Sequence, residues 1–321
     1  PRHELVESYT RENGINGFYE SVELRKGCCH ARKVEPLQRA LAGKKEPDQV
    51  ADALVWHPDV RRMLLTQKAI AEGGRAMIYS AAQIADKMFS AVLAGDQKQY
   101  EAYDSELGFF TPILKGFITE MGLEAANLGM QVFGGHGYIQ DHGMEQIARD
   151  ARIATLYEGT TGIQALDLLG RKVLLGTKGK CVRDFSATML SLAKPHLFSR
   201  GPLGSMARSL LLRAGQWNLL TTRLMLRSAR DREQVGAASY DFLMYSGFCM
   251  MAHFWLLQAI KASELLASGS GAESAAFYQA KIETAQFYFA RLLPRANSHH
   301  VAALASTASL MQTDKDNLRI V

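Results

Sequence analysis

From Pro58 onward, apolar residues return at every third or fourth position, and glycine and proline gather at breaks between the runs. That period predicts helices. A long first one starts at Pro58, a tolerated first-turn proline, and closes at Gly95, with Leu64, Ala71, Ile78, Ala82, Ala85 and Phe89 sharing a broad apolar face. Asp96 reads as the N-cap of a second, which runs through Phe109, Ile113, Phe117, Met121, Leu128 and Val132, with Pro112 as a kink or break. A glycine-rich turn, GGHGYIQDHG, occupies 134–143, and further helices are predicted over 144–156 and 163–175. Beyond a linker-like GTKGKC at 176–181, the period returns over 184–192, 203–231, 237–266 and 272–293, where Pro294 ends it. A short helix follows over 299–312. No alternating β-branched run with hairpin turns at its ends is found, so the predicted fold class is all-α.

The segment FLMYSGFCMMAHFWLLQAI (242–260) approaches the roughly 20 apolar residues of a membrane span, but Ser246, Gly247, His253 and Gln258 interrupt it. A buried bundle helix is the favoured reading, and peripheral membrane contact the minor one.

Composition narrows the class further. With 47% hydrophobic and 21% charged residues over 321 positions, the chain can form a core of about two domains, and bulk disorder is excluded. The net charge of +5 is scattered, which argues against nucleic acid and suits a phosphorylated small ligand or a faintly anionic surface. Four cysteines without a CxxC pair give no disulfide framework and no metal site, as expected of a reducing, cytoplasmic setting. The opening PRHELVESYTREN has no apolar leader core, and its lack of an initial methionine is what a processed or truncated chain would show.

Two places carry candidate chemistry. The glycines of GGHGYIQDHG would let backbone N–H groups approach a phosphate, yet the spacing is not a dinucleotide fingerprint, and an ordinary turn explains it as well. His136 and His142, six apart with Asp141 beside the second, read as solvated or capping residues rather than metal ligands. Glu158, in LYEGTTG, follows Ile153, Ala154, Leu156 and Tyr157 and precedes a glycine. A partly apolar corner of that kind suits a general base, although on spacing alone an acid near the next helix's N-terminus is the plainer reading. Adjacent Arg61 and Arg62 read as a solvated face. The aromatic cluster Phe277, Tyr278, Phe287, Tyr288 and Phe289 reads as core.

The phrase MQVFGGHGYIQDHGMEQIARDARIATLYEGTTGIQALDLLGRKVL (130–174) resembles the C-terminal helical domain of the acyl-CoA dehydrogenase family. HPDVRRMLLTQKAIAEGGRAM (57–77) is similar to the helix that precedes it. YDFLMYSGFCMMAHFWLLQAIKAS and AKIETAQFYFARLLPR resemble the C-terminal extension of a larger subgroup that includes bacterial long-chain and methylmercaptopropionyl-CoA dehydrogenases. The resemblance implies a divergent first bundle helix over 1–50, a C-terminal four-helix bundle over 51–178 and a second helical-bundle extension over 179–321. The family's N-terminal and middle domains have no counterpart in it.

By that resemblance the activity is α,β-dehydrogenation of an acyl-CoA thioester in fatty acid β-oxidation, with FAD as hydride acceptor and Glu158 as the base that takes the α-proton. Gln131, Gly134 and Gly135 match contacts to the FAD diphosphate of a neighbouring subunit, and Thr160 a contact to the flavin nucleotide. Tyr157 and Gly159 match positions flanking the thioester. Gly162 departs from a glutamine common in relatives, and the first-helix arginine of the family is not assigned between Arg32 and Arg39. Implied partners are the acyl-CoA substrate, an electron acceptor such as electron-transfer flavoprotein, and further copies of the chain in a homo-oligomer. The alternative is a catalytically silent helical subunit or scaffold that associates with a full-length partner or a membrane surface.

Overall fold

The computed structural model describes residues 3–14, 16, 19–34 and 53–318 and divides into two units, 1–62 and 63–321. In the first unit, α1 (His3–Asn13) and α2 (Val22–Cys29) are tied by a hydrogen bond from the Tyr9 hydroxyl to the Leu24 carbonyl at 2.7 Å. Ser21 caps α2, its hydroxyl accepting from the Leu24 N–H at 3.1 Å. Farther along this unit the Arg61 guanidinium lies 5.9 Å from the Trp56 ring centroid, and Arg62 pairs with Asp59 at 2.9 Å. Both arginines are exposed, as expected. Of the two arginines left unassigned, Arg32 is exposed in a π turn, while Arg39 and Pro36 lie outside the described residues.

The helices predicted from Pro58 onward are present, except that the one expected over 299–312 is two short helices broken at 304–307. These are α3 (Pro58–Leu93), α4 (Gln97–Ile113), α5 (Thr119–Val132), α6 (Met144–Ala154), α7 (Thr161–Leu166), α8 (Lys180–Ala193), α9 (Pro202–Ser228), α10 (Glu233–Ser268), α11 (Ala275–Phe287), α12 (Ala296–Ala303) and α13 (Ala308–Met311). Among the described residues no strand occurs, and the fold is all-α. Gly95 takes φ +67° just past α3, and the Asp96 N–H returns to the Ala91 carbonyl at 2.9 Å. Asp96 then caps α4, its carboxylate accepting from the Gln99 N–H at 3.0 Å.

Two further expectations need correction. The helix predicted from Asp96 to Val132 is not continuous: two residues after Pro112, which cannot donate to the helical ladder, a π turn (Leu114–Ile118) separates α4 from α5. On α3 the buried face is not the predicted one. Leu64, Ala71, Ile78, Ala82 and Phe89 are exposed and Ala85 is half-buried, while Met63, Thr66, Ile70, Met77, Ala81 and Ile84 point inward. The helix is apolar on two sides, and close approach decides between them. A Cβ at Gly73 would stand 2.6 Å from the Trp255 indole nitrogen and 2.8 Å from Met251, so the glycine side is the one that fits against α10. The Trp255 N–H then reaches the Ala69 carbonyl at 3.1 Å.

One continuous core runs from Ala69 to Ala303 and includes both sides of the turn at 176–179. Its axis is α10, packed by α7, α9, α11, α12 and the π turn before α5. Among the described residues only α10 is long and apolar enough to cross a membrane, yet 89% of its most apolar window is buried inside the protein, as the bundle-helix reading expects. Some polar groups entering this core find backbone partners, whereas Ser186 Oγ and Trp217 Nε1 have none among the described residues. The Tyr245 hydroxyl donates to the Arg213 carbonyl at 3.2 Å and the Tyr288 hydroxyl to the Phe248 carbonyl at 2.8 Å, while Ser246 bonds back to Phe242 at 2.7 Å. Of the aromatic cluster on α11 and the turn after it, Tyr278 and Tyr288 are buried, Phe287 and Phe289 half-buried, and Phe277 exposed. The second link from α3 is ionic and half-buried: Glu72 takes Lys281 at 2.8 Å and also Lys68. Burial pulls the Glu72 carboxyl upward, but the two lysine hydrogen bonds outweigh it and hold it below its ordinary value.

A Cβ at Gly247 would lie 2.1 Å from Phe117 Cγ, with Phe117 itself fully buried and edge-on to Phe248 at 5.0 Å. Gly247→Ala is therefore expected to destabilise the fold by about 3 kcal/mol or more, read as a lower urea midpoint. His253 is buried against Phe185 and Phe254, its Nδ1 has no partner among the described residues, and burial lowers its pKa to about 4. The unfolded chain binds this proton near 6.5 and the folded chain only near 4, so stability is full above pH 6.5 and falls as pH drops toward 4. The loss attributable to His253 reaches roughly 3 kcal/mol. His253→Phe should flatten that slope, raising the urea midpoint at pH 5 relative to the parent far more than at pH 8.

Candidate active site

The residues singled out in the sequence stand on two turns at opposite ends of α6. The first follows α5. Gly134 takes φ +62°, a 3-10 turn covers Gly134–Gly137, and a second covers Gln140–His142 before Gly143, at φ +68°, starts α6. Gly137 is the tight position, where a Cβ would meet the Met130 carbonyl oxygen at 2.3 Å. At Gly134 and Gly135 the space beside the backbone is open, and both residues are exposed. His136 and His142 are exposed and stack edge-to-face at 5.4 Å, in keeping with the solvated reading. Gln131, also exposed, sits on the wall of a hollow of about 550 Å³ shared with Glu120, Glu124, Tyr240, Arg295 and His299. Within it Arg295 grips Glu124 through two bonds of 2.9 and 2.8 Å, and His299 meets Asp241 at 2.7 Å.

The second turn joins α6 to α7 and carries Tyr157, Glu158, Gly159 and Thr160. It reverses the chain through two consecutive left-handed residues, Glu158 at φ +56° and Gly159 at φ +89°. Glycine is needed at 159, because a Cβ would lie 2.8 Å from Gln164 Nε2. That same nitrogen donates to the Glu158 carbonyl at 3.0 Å and holds the left-handed residue in place. Thr160 caps α7, its hydroxyl oxygen accepting from the Ile163 N–H at 3.4 Å, a bond that leaves the hydroxyl proton for another partner.

The apolar corner expected around Glu158 is not closed. Ile153, Leu156 and Tyr157 are 53%, 45% and 51% exposed, and Glu158 is itself exposed at the loop tip. The side chains that surround the carboxylate in sequence turn outward with it and form an apolar rim, to which Ile163 and Leu166 of α7 add. Beside the rim, α5, α6 and Tyr138 enclose an open groove of about 810 Å³, lined by Leu123, Met130, Arg149, Arg152, Ile153 and Leu156 among others. Glu158 lines neither this groove nor the hollow at Gln131.

Three contributors to the loop were not read from the sequence. Lys115 Nζ donates to the Ala154 carbonyl at 2.5 Å from 39 residues away, and Glu120 accepts from the Thr161 hydroxyl at 2.6 Å from 41 residues away. No local spacing announces such pairs. Gln164, only six residues from Glu158, sits inside the same motif.

Residues 29–174 match the family model described as acyl-CoA dehydrogenase, C-terminal domain, and residues 181–314 match the one described as acetyl-CoA dehydrogenase C-terminal like. The chain belongs to the acyl-CoA dehydrogenase family and carries its C-terminal helical region. It is 38% identical over 253 residues to a 3-methylmercaptopropionyl-CoA dehydrogenase of Ruegeria pomeroyi, covering 78% of this chain and 42% of that protein. It is 31% identical over 334 aligned positions to a broad-specificity linear acyl-CoA dehydrogenase of Mycobacterium tuberculosis, covering 96% and 52%. The chain thus spans about half the length of the curated relatives it matches. A crystal structure of an acyl-CoA dehydrogenase complexed with FAD from Bacillus anthracis shares the fold, with a TM-score of 0.63 at 14% identity over 84% of this chain and 46% of that one.

A glutamate held left-handed gives up about 1–2 kcal/mol that glycine would not. Glu158→Gly is accordingly expected to leave the melting temperature unchanged or raise it by a few degrees in calorimetry, although it deletes the candidate base.

Proposed function

We propose that this helical region supplies the proton-abstracting base and the flavin-facing turn of an FAD-dependent acyl-CoA dehydrogenase. The observation that carries the reading is Glu158 itself, held at the tip of a left-handed loop within an exposed apolar rim, in a chain of this family. The residues present fit a dinucleotide cofactor. The backbone at Gly134 and Gly135 is open enough to approach a diphosphate, Gln131 presents an exposed amide, and the Thr160 hydroxyl has a proton to donate. When bound, flavin supplies the hydride acceptor that no amino-acid side chain can provide.

The chain's own part is acid–base and positional. Glu158 removes the proton α to the thioester carbonyl, a step for which a positioned carboxylate contributes about 10²–10⁴-fold. Tyr157 and Gly159 flank the thioester, and the rim of Ile153, Leu156 and Ile163 offers the acyl portion an apolar surface beside the exposed carboxylate. The groove beside α6, with Arg149 and Arg152 on an apolar wall, suits an anionic, partly apolar ligand such as an acyl-CoA. The electron acceptor and the homo-oligomer belong to the same reading, as does a cytoplasmic setting, which the four free cysteines suit.

The test is optical. If purified 321-residue protein holds yellow flavin, an acyl-CoA should bleach its absorbance, and Glu158→Gln should keep the colour while slowing bleaching by at least about 10²-fold. Bleaching that survives Glu158→Gln would remove the base assignment. A colourless protein would instead favour a silent helical subunit.

A further inference from the structure

We propose that Lys115 and Glu120 are positioning residues for Glu158, holding the two ends of its loop from a single π turn and the helix that continues it. The proposal rests on the reading of Glu158 as the base. Lys115 grips the near end. Its ammonium donates to the carbonyl of Ala154, the last residue of α6, at 2.5 Å, and lies 5.5 Å from the Tyr157 ring centroid. A cation at a helix C-terminus is favoured by the dipole, and a charge-assisted bond is roughly twice as strong as a neutral one. Its position over the ring adds a cation–π contact that fixes Tyr157, the residue before Glu158.

Glu120 grips the far end through the Thr161 hydroxyl at 2.6 Å. Between the grips, the Thr161 N–H closes the loop onto the Thr155 carbonyl at 3.3 Å, and both threonines are buried while Glu158 is exposed. The loop is therefore anchored at its base and strained at its tip. A left-handed glutamate persists only where the surrounding structure over-determines it, and these two side chains add to the constraint that Gln164 supplies.

The π turn is what allows one segment to do both. On an α-helix, residues five apart point about 140° away from each other. Hydrogen bonds from i to i+5 in Leu114–Ile118 widen the turn and bring Lys115 and Glu120 round to the same loop. Thr119 stabilises the widened turn, its hydroxyl donating to the Lys115 carbonyl at 2.6 Å and lying 3.2 Å from that of Gly116. Gly116 seats the turn on α10, where a Cβ would meet Leu243 at 2.7 Å.

The experiment compares the full chain with Lys115→Met, which keeps the stem and removes the charge, and with Lys115→Arg. In Lys115→Met, amide hydrogen exchange at Leu156, Tyr157 and Thr161 should accelerate by at least about tenfold while exchange in α9 and α10 stays unchanged, and Lys115→Arg should restore most of the protection. Unchanged exchange at those three amides would overturn the proposal, as would equal acceleration throughout the core, which marks a merely structural role. Flavin bleaching gives a second readout. Lys115→Met should lower the maximal rate by about tenfold without changing the half-saturating acyl-CoA concentration, and the reverse pattern would also overturn it. Should the parent chain fail to bleach, the functional reading falls while the exchange data still decide whether Lys115 holds the loop.

Discussion

A helix that is apolar on every face is stable in water only when other helices cover all of it. From Phe242 to Leu256, α10 is buried without interruption, covered chiefly by α7, α9, α11, α12 and the π turn before α5. Several of the covering elements are admitted by a small residue or a satisfied polar group. Gly73 lets α3 reach Trp255, Gly116 and Gly247 let the π turn and Phe117 in, and Tyr245 and Tyr288 bring hydroxyls that end on backbone carbonyls. His253 is a titratable ring kept neutral by its surroundings, its Nδ1 without a partner among the described residues. Interiors this densely packed transmit displacement rather than absorb it, so the turn that carries Lys115 inherits its position from α10.

The same helices that close the interior leave their other side open. Phe133, Tyr138, Ile147, Ile153, Tyr157 and Ile163 are exposed along the turns and faces around α6, and Leu64, Ile78 and Phe89 along α3. Large apolar groups gathered in this way on a surface mark places where something else sits. The curated relatives are about twice as long as the stretch matched here. In the function proposed above, this region's share of an active centre assembled from several domains is a carboxylate, two glycine turns and the scaffold that aims them.

Element positions were legible in the sequence because helix punctuation here is chemical. Gly95, Asp96 and Gly143 mark ends that any reader of caps and breakers finds, and the apolar period fills the intervals. The facing of α3 was not legible, since hydropathy ranks Leu64 and Phe89 above Gly73 and Gly74 although contact distance chooses the glycines. At the candidate site, Glu158 and its loop neighbours could be picked out from one contiguous phrase. The surroundings of that carboxylate could not: Leu156 and Tyr157 are adjacent to it in sequence yet turn outward beside it, and the groups that hold the loop come from Lys115 and Glu120, about forty residues upstream.

The widened turn before α5 carries a further consequence, for how this stretch of chain tolerates insertion and deletion. Removing one residue between Leu114 and Ile118 would let α4 and α5 run together as a single regular helix, with a better local hydrogen-bond ladder than the present one. The residues downstream would keep nearly the same facing, since four residues at about 100° each cover about the same rotation that five cover in the widened turn. Met121 would stay toward the core and Glu120 toward Thr161. What the extra residue adds is local: the widened turn seats Gly116 against Leu243 and carries Lys115 to the Ala154 carbonyl, and those are the contacts its loss would disturb.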